Sequence, residues 1–255
     1  MDIDKYLERI GMEAADVSPK GLARLQRQHL LTVPFENLDI HWNRPIVLDT
    51  EEFYQKVVAR RRGGFCYELN GLFNELLSAL GFQTRLVSAR VFGGEKGFGP
   101  EFDHAAIIVS FGGEAYLADV GFGDFTAGPL RFAADEEQQD DTGVFVIRGF
   151  EDGYFEVAKR DGNAWKSQYI FKGVARELSE FAEMCDFQQY SPDSHFRKGK
   201  VCSLMTADGR KTLTDRKFIV TGNADRTEFE VQDFKEFERI LSKEFGITNT
   251  TNIQA

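Results

Sequence analysis

The chain has 255 residues, 42% of them hydrophobic and 28% charged, with a formal net charge of -10 at pH 7 and a pI near 5.0. These ordinary globular proportions exclude a disordered or fibrous chain, and the acidic balance excludes a nucleic-acid partner, because no basic run longer than Arg60-Arg61-Arg62 offsets it. The length suits one large domain or two to three small ones sharing a core, and 24 Phe against 7 Tyr and 2 Trp point to a thick core with ring faces left over for a cleft.

Residues 1–17 are mixed and charged, with no apolar leader, and nowhere do about 18 apolar residues run together, so neither secretion nor membrane contact is signalled. The expected location is cytoplasmic. Three cysteines without C-x-x-C spacing cannot all pair and form no metal framework, so no metal is expected and each thiol is judged alone.

In chain order, residues 4–10 read as a first helix, and Ser18-Pro19 supplies an N-cap and a first-turn proline for a second running towards Leu31. A proline-containing link, Val33-Pro34-Phe35-Glu36-Asn37-Leu38, follows. Thr50 is expected to cap a helix through Glu51, Phe53, Val57 and Val58, terminated by Gly63-Gly64. Another helix starts near Cys66, since Leu69, Leu72, Phe73, Leu76, Leu77 and Leu80 recur at steps of three and four and Gly81 stands where a C-terminal cap belongs. From Thr84 the period turns to two, and residues 85–92, 103–111, 114–120, 144–148, 154–160 and 165–171 read as strands, with hairpin turns at Gly112-Gly113 and Asp161-Gly162. Closure into an antiparallel barrel is expected. After Lys172 come a helix over 179–184, strands over 201–205 and 217–220, a last helix over 233–245 and a Thr/Asn-rich tail from Thr248 that is expected to fray. The predicted fold class is therefore α+β, with a helical bundle over 1–83, a β-barrel over 84–172 and a smaller α/β lid over 173–255.

The candidate nucleophile is Cys66. It follows two glycines and opens a helix, where unsatisfied N–H groups and the positive end of the dipole favour a thiolate. Its candidate base comes from the hairpin register. A two-residue loop at Gly112-Gly113 pairs Phe111 with Glu114, Ala106 with Asp119 and His104 with Gly121, so His104 and Asp119 share a face as diagonal neighbours, a gap that an imidazole and a carboxylate can close. His29, His41 and His195 have no carboxylate so placed, and Cys185 and Cys202 read as core. The stretch from Gly93 to Gly99 lacks the G-K-[ST] ending of a phosphate loop and reads as a mobile loop beside the site. A cysteine nucleophile with a His base and an Asp orienter permits thiol protease, transglutaminase-like, thioesterase or acyltransferase chemistry, and residue chemistry alone does not choose among them.

Four segments resemble motifs of the arylamine N-acetyltransferase family of the prokaryotic type. They are Arg62-Gly63-Gly64-Phe65-Cys66-Tyr67-Glu68-Leu69-Asn70, Val33-Pro34-Phe35-Glu36-Asn37-Leu38, Asp119-Val120-Gly121-Phe122-Gly123, and Ser191-Pro192-Asp193-Ser194-His195-Phe196 with Cys202-Ser203-Leu204. The resemblance spans nearly the whole chain in the family's order and implies the same three-part architecture. It implies acetyl-CoA as the acetyl donor, arylamines and arylhydrazines as acceptors, N-hydroxyarylamines for O-acetylation, and a ping-pong course through acetyl-Cys66 with His104 and Asp119 completing a triad like that of the cysteine proteases. It further implies substrate contacts at Phe35, Val91, Phe122 and Phe196, cofactor contacts at Gly121 and Gly123, an ion pair of Arg62 with Glu36, and a monomer or homodimer. Lys96, Arg197, Lys198 and Lys200 are candidates to meet the CoA phosphates, and Cys66 N–H is a candidate oxyanion donor. A related amide synthase and a cysteine hydrolase are the nearest alternatives. Pro100-Glu101-Phe102-Asp103, before His104, departs from the family pattern.

Overall fold

The computed structural model describes residues 1–222 and 225–249. It opens with α1 (Ile3–Arg9) and α2 (Pro19–Thr32), and Ser18 caps α2 as predicted, its hydroxyl accepting from Gly21 N–H. A two-residue strand, β1 (Phe35–Glu36), and the single turn α3 (Leu38–His41) follow. The cap of α4 (Thr50–Tyr54) is Asp49 rather than Thr50, because its carboxylate accepts from both Glu51 and Glu52 N–H and adds a negative charge at the positive helix end. This helix loosens into a π-turn over Gln55–Ala59 and ends at Arg60. Arg61 takes the left-handed conformation at φ 51°, so the predicted stop at Gly63-Gly64 is displaced by two residues.

Those glycines serve close approach instead. A Cβ on Gly63 would lie 2.0 Å from the Pro34 carbonyl, and one on Gly64 2.9 Å from the Glu68 side chain. Glu36 N–H therefore reaches Gly64 O at 2.8 Å, and the chain is delivered into α5 (Cys66–Ala79). Leu69, Leu72, Phe73, Leu76 and Leu77 of the predicted stripe are buried, Leu80 is half-buried at the C-cap, and Gly81 at φ 98° follows it.

The next strands are β2 (Gln83–Val91), β3 (His104–Phe111), β4 (Glu114–Ala118), β5 (Leu130–Arg131), β6 (Gln138–Asp140), β7 (Gly143–Gly149), β8 (Phe155–Asp161) and β9 (Ala164–Phe171). They form one antiparallel sheet in the order β5-β4-β3-β2-β9-β8-β7-β6. Its two edges are tied by a side chain: Gln138 accepts from Arg131 N–H at 2.7 Å and donates to Arg131 O at 2.8 Å, so the sheet is a nearly closed barrel. β5 and β6, at two and three residues, are too short to show a period and were not predicted. Leu69, Leu72 and Leu76 of α5 join Ala105, Ile107 and Val109 of β3 in one hydrophobic cluster, so helices and barrel share a core.

A 3-10 turn over Leu178–Phe181 leads into α6 (Ala182–Tyr190), later and longer than the predicted helix over 179–184. Then β10 (Val201–Thr206), β11 (Gly209–Thr214), β12 (Lys217–Thr221) and β13 (Arg226–Glu230) make a second antiparallel sheet in the order β1-β10-β11-β12-β13. β11 carries little apolar alternation and β13 is exposed throughout, which is why neither showed in the sequence. α7 (Phe234–Phe245), capped by Asp233, packs Phe237, Ile240, Leu241 and Phe245 with Cys202 and Leu213 of that sheet. Of the tail expected to fray, residues 250–255 lie outside the described residues. Among the described residues no helix is long and apolar enough to cross a membrane.

Candidate active site

Cys66 is the first residue of α5 and lines a cleft of about 680 Å³ together with His104 at the start of β3. His104 Nε2 is 2.7 Å from Asp119 Oδ2, and both residues are buried. With Nε2 committed to Asp119, Nδ1 is the ring nitrogen that can serve the thiol. The ring is held between Phe122 and Tyr169, at centroid distances of 5.2 and 5.4 Å.

The hairpin register is as predicted from Phe111–Glu114 to Ile107–Ala118, and there the ladder stops. Asp119 and Gly121 lie outside the strand, so the expected pairings of Ala106 with Asp119 and His104 with Gly121 do not form. The reason is the carboxylate itself, which is drawn inward by donors other than a strand partner. Asp119 Oδ1 accepts from Asn70 Nδ2 at 2.8 Å and Gly121 N–H at 2.9 Å, and Oδ2 accepts from Tyr169 OH at 3.2 Å besides His104.

Asn70 was missed as a functional position. It lies one helical turn beyond Cys66 on the same face, and it also donates to Ala105 O at 2.6 Å and accepts from Val120 N–H at 2.9 Å. One amide thus fixes the nucleophile's helix to the strand of His104 and the loop of Asp119. Gly121 completes the contact, since a Cβ there would stand 2.8 Å from Cys66 Cα. The i, i+4 spacing from Cys66 was the available signal.

The surroundings of the thiol act against the helix end. Burial, then the charges of Asp103 and Asp119, push it well above the usual cysteine range, and the Ala105 N–H hydrogen bond to sulfur draws it back only in part. Desolvation thus opposes the helix end at this sulfur.

Phe35, Val91, Phe122 and Phe196 all line the cleft, as does Gly121, whereas Gly123, at φ 97°, is off its wall. Phe35 reaches it because β1 pairs with β10, Phe35 opposite Ser203, and its ring lies 6.1 Å from that of Phe196. Lys198 and Lys200 are on the wall with Arg216, which the sequence did not single out, while Lys96 and Arg197 are not. Lys200 is tied to Asp215 at 2.6 Å. Asp103 and His195 also line the cleft, a placement not foreseen for His195. The stretch from Gly93 to Gly99 closes on itself through Gly93 N–H to Gly97 O at 2.7 Å and a Phe92–Phe98 ring contact at 5.2 Å.

Beneath the nucleophile the expected Arg62–Glu36 pair belongs to a larger buried network. Arg62 also bonds Asp39 at 2.8 Å, and Lys56 bonds Asp39 at 2.8 Å and Glu68 at 2.8 Å. Glu68 in turn accepts from Phe65 N–H at 3.0 Å, which anchors the first turn that carries Cys66.

A thiol at a helix start beside a hydrogen-bonded imidazole and carboxylate, in an open aromatic cleft, is the constellation of cysteine-nucleophile group-transfer enzymes. Residues 20–253 match the family model described as N-acetyltransferase. The chain is 30% identical over 276 residues to the arylamine N-acetyltransferase pineal gland isozyme NAT-10 of Gallus gallus, covering 97% of this chain and 94% of that protein. Among solved structures it is similar to the arylamine N-acetyltransferase of Salmonella typhimurium, with a TM-score of 0.92 at 29% identity over 98% of this chain and 93% of the other. It is likewise similar to the Mycobacterium marinum arylamine N-acetyltransferase in complex with CoA, with a TM-score of 0.89 at 29% identity over 96% and 93%. The chain belongs to the arylamine N-acetyltransferase family and is an acyltransferase of that kind.

Proposed function

We propose that this enzyme transfers the acetyl group of acetyl-CoA to arylamines and arylhydrazines, and to the oxygen of N-hydroxyarylamines, through an acetyl-Cys66 intermediate. The observation that carries the reading is the 2.7 Å His104–Asp119 hydrogen bond opening on the same cleft as the Cys66 thiol. The CoA held by the Mycobacterium marinum relative supports the choice of donor.

In the first half-reaction the thiol proton passes to His104 while sulfur attacks the thioester carbonyl. A thiol held up by burial gives its proton readily only to a partner whose new charge is itself met, and Asp119 beside the imidazole meets it. The oxyanion falls near the Cys66 N–H at the helix start. CoA leaves as its thiol, taking the proton from His104. Exchange of one thioester for another is nearly isoenergetic, so the acetyl group keeps its transfer potential. In the second half-reaction the amine nitrogen attacks acetyl-Cys66, His104 accepts its proton, and the amide departs as the thiol re-forms, a positioned acid–base of this kind contributing about 10²–10⁴ in rate.

Phe35, Val91, Phe122 and Phe196 bracket the aromatic acceptor, and Gly121 offers backbone to the CoA side. In this reading the bundle of 1–83 supplies the nucleophile, the barrel of 84–172 the imidazole and carboxylate, and the lid of 173–255 closes the cleft. The test is label exchange. Labelled CoA should enter acetyl-CoA with no acceptor present, because the donor half-reaction is complete in itself; strict dependence of exchange on the amine would overturn the acetyl-enzyme.

A further inference from the structure

We infer that Asp103 sets the charge preference at the acceptor end of the cleft, selecting neutral and cationic arylamines over those that carry a ring carboxylate. The inference rests on the acetyl-transfer reading of the same site.

Asp103 immediately precedes His104 and lines the cleft with Cys66, His104 and Phe122. Its carboxylate is seated with care. Oδ1 accepts from Gln188 Nε2 at 2.9 Å, and Gln188, itself buried, is fixed by Ser194 Oγ at 2.6 Å. The far oxygen fits against Gly99, where an added Cβ would stand 2.6 Å from Asp103 Oδ2. Tyr67 OH, donating to Phe102 O at 2.7 Å, holds the backbone beside it. Both the glutamine amide and the Val91 backbone group that bond this carboxylate are neutral, so they fix its orientation without pairing its charge, while burial raises it above the usual carboxylate range.

Among the described residues no lysine or arginine is paired with it. Asp119 is hydrogen-bonded to the far nitrogen of His104, and Lys200 is paired with Asp215. Lys198 and Arg216 line the same cleft from the lid and are not paired with Asp103. His195, the remaining titratable group facing Asp103, is held below the ordinary histidine range by loss of water around its ring, and so is neutral at pH 7.5. His104 must also be neutral to accept the amine proton. When an arylamine approaches acetyl-Cys66, Asp103 is a carboxylate on the wall beside it with no lysine or arginine paired to it, in a partly dry cleft where screening is weak.

In a ping-pong sequence two acceptors compete for one acetyl-enzyme, so their product ratio is independent of the donor step and of any effect of Asp103 on the thiol. The probes are 4-aminobenzoate and its neutral isostere 4-aminobenzamide, in competition at pH 7.5. Wild type should favour the amide about tenfold, the worth of one like charge a few ångströms away at intermediate permittivity. Asp103→Asn should bring the ratio towards unity, and Asp103→Glu should retain the preference. Comparison with the variants cancels the intrinsic difference in amine reactivity. Should Asp103→Asn not fold, the salt response of wild type decides instead, because raising ionic strength should compress the preference. A ratio untouched by Asp103→Asn or by salt, or a wild type that takes the carboxylate as readily as the amide, overturns the inference while leaving acetyl transfer intact. Failure of the amide itself to be acetylated removes the underlying reading, and this inference with it.

Discussion

Asn70→Ala is the sharpest perturbation of the site that touches none of the reacting atoms. The side chain makes three hydrogen bonds, to Ala105 O, Asp119 Oδ1 and Val120 N–H. Ala105 and Val120 are buried, so truncation strands one carbonyl and one N–H at about 1–3 kcal/mol each. The better helix propensity of alanine returns roughly 0.5 kcal/mol. A net loss of about 3 kcal/mol is expected in urea unfolding, a large share of an ordinary domain's stability. Asp119 keeps His104, Gly121 N–H and Tyr169 OH, so the acetylation rate should fall less steeply than on loss of the carboxylate. Asn74→Ala, one turn further along α5, is the control: its Oδ1 has no hydrogen-bond partner, and its removal should cost less than about 0.5 kcal/mol. If the two variants unfold within 0.5 kcal/mol of each other, the assignment of Asn70 as the tie between helix, strand and loop is wrong.

Three further outcomes follow from the same contacts. Asp119→Asn should fold but lose acetylation by at least about 10², because the amide cannot stabilise the imidazolium; near-normal rates would remove Asp119 from the triad. Lys56→Met leaves Glu36, Asp39 and Glu68 with Arg62 as their buried cation, Arg44 reaching only Asp39 at 3.8 Å, and should cost about 3–5 kcal/mol at neutral pH. That deficit should shrink on acidification as a carboxylate takes up a proton, and a pH-independent loss would contradict the network. His29, fully buried against Tyr6, is lowered from 6.5 to about 3 by desolvation. The unfolded chain therefore binds the proton first, so stability present above pH 6.5 is lost as pH falls, by about 1.4 kcal/mol per unit. The difference between wild type and His29→Leu should carry that slope between pH 6.5 and 5, and a flat difference would refute it.

What the sequence made legible was local. The α5 stripe, its glycine stop and the Ser18-Pro19 cap are each decided within a few residues. So is the β3–β4 register, because Gly112 and Gly113 at φ 51° and 101° fit the two-residue turn. Asp119 was found by extending that register one residue beyond its true end, and the face argument survived because Asn70 and Tyr169 pull the carboxylate to the same side. Contacts that depend on distant partners left no local trace. β1 finds β10 across about 165 residues, and Lys56 joins a pair of which only Arg62 and Glu36 were suspected. The desolvation of the thiol left no trace for a related reason, since the helix end is visible in sequence but desolvation is a property of the packed site.

The central claim is that Cys66 carries the acetyl group between donor and acceptor. Intact-protein mass spectrometry after brief mixing with acetyl-CoA tests it directly, with peptide mapping to place the adduct. The account predicts one acetyl group on Cys66, absent in Cys66→Ala and discharged on addition of an arylamine. Folded protein that gains no acetyl group, or an adduct that an arylamine leaves in place, would contradict it.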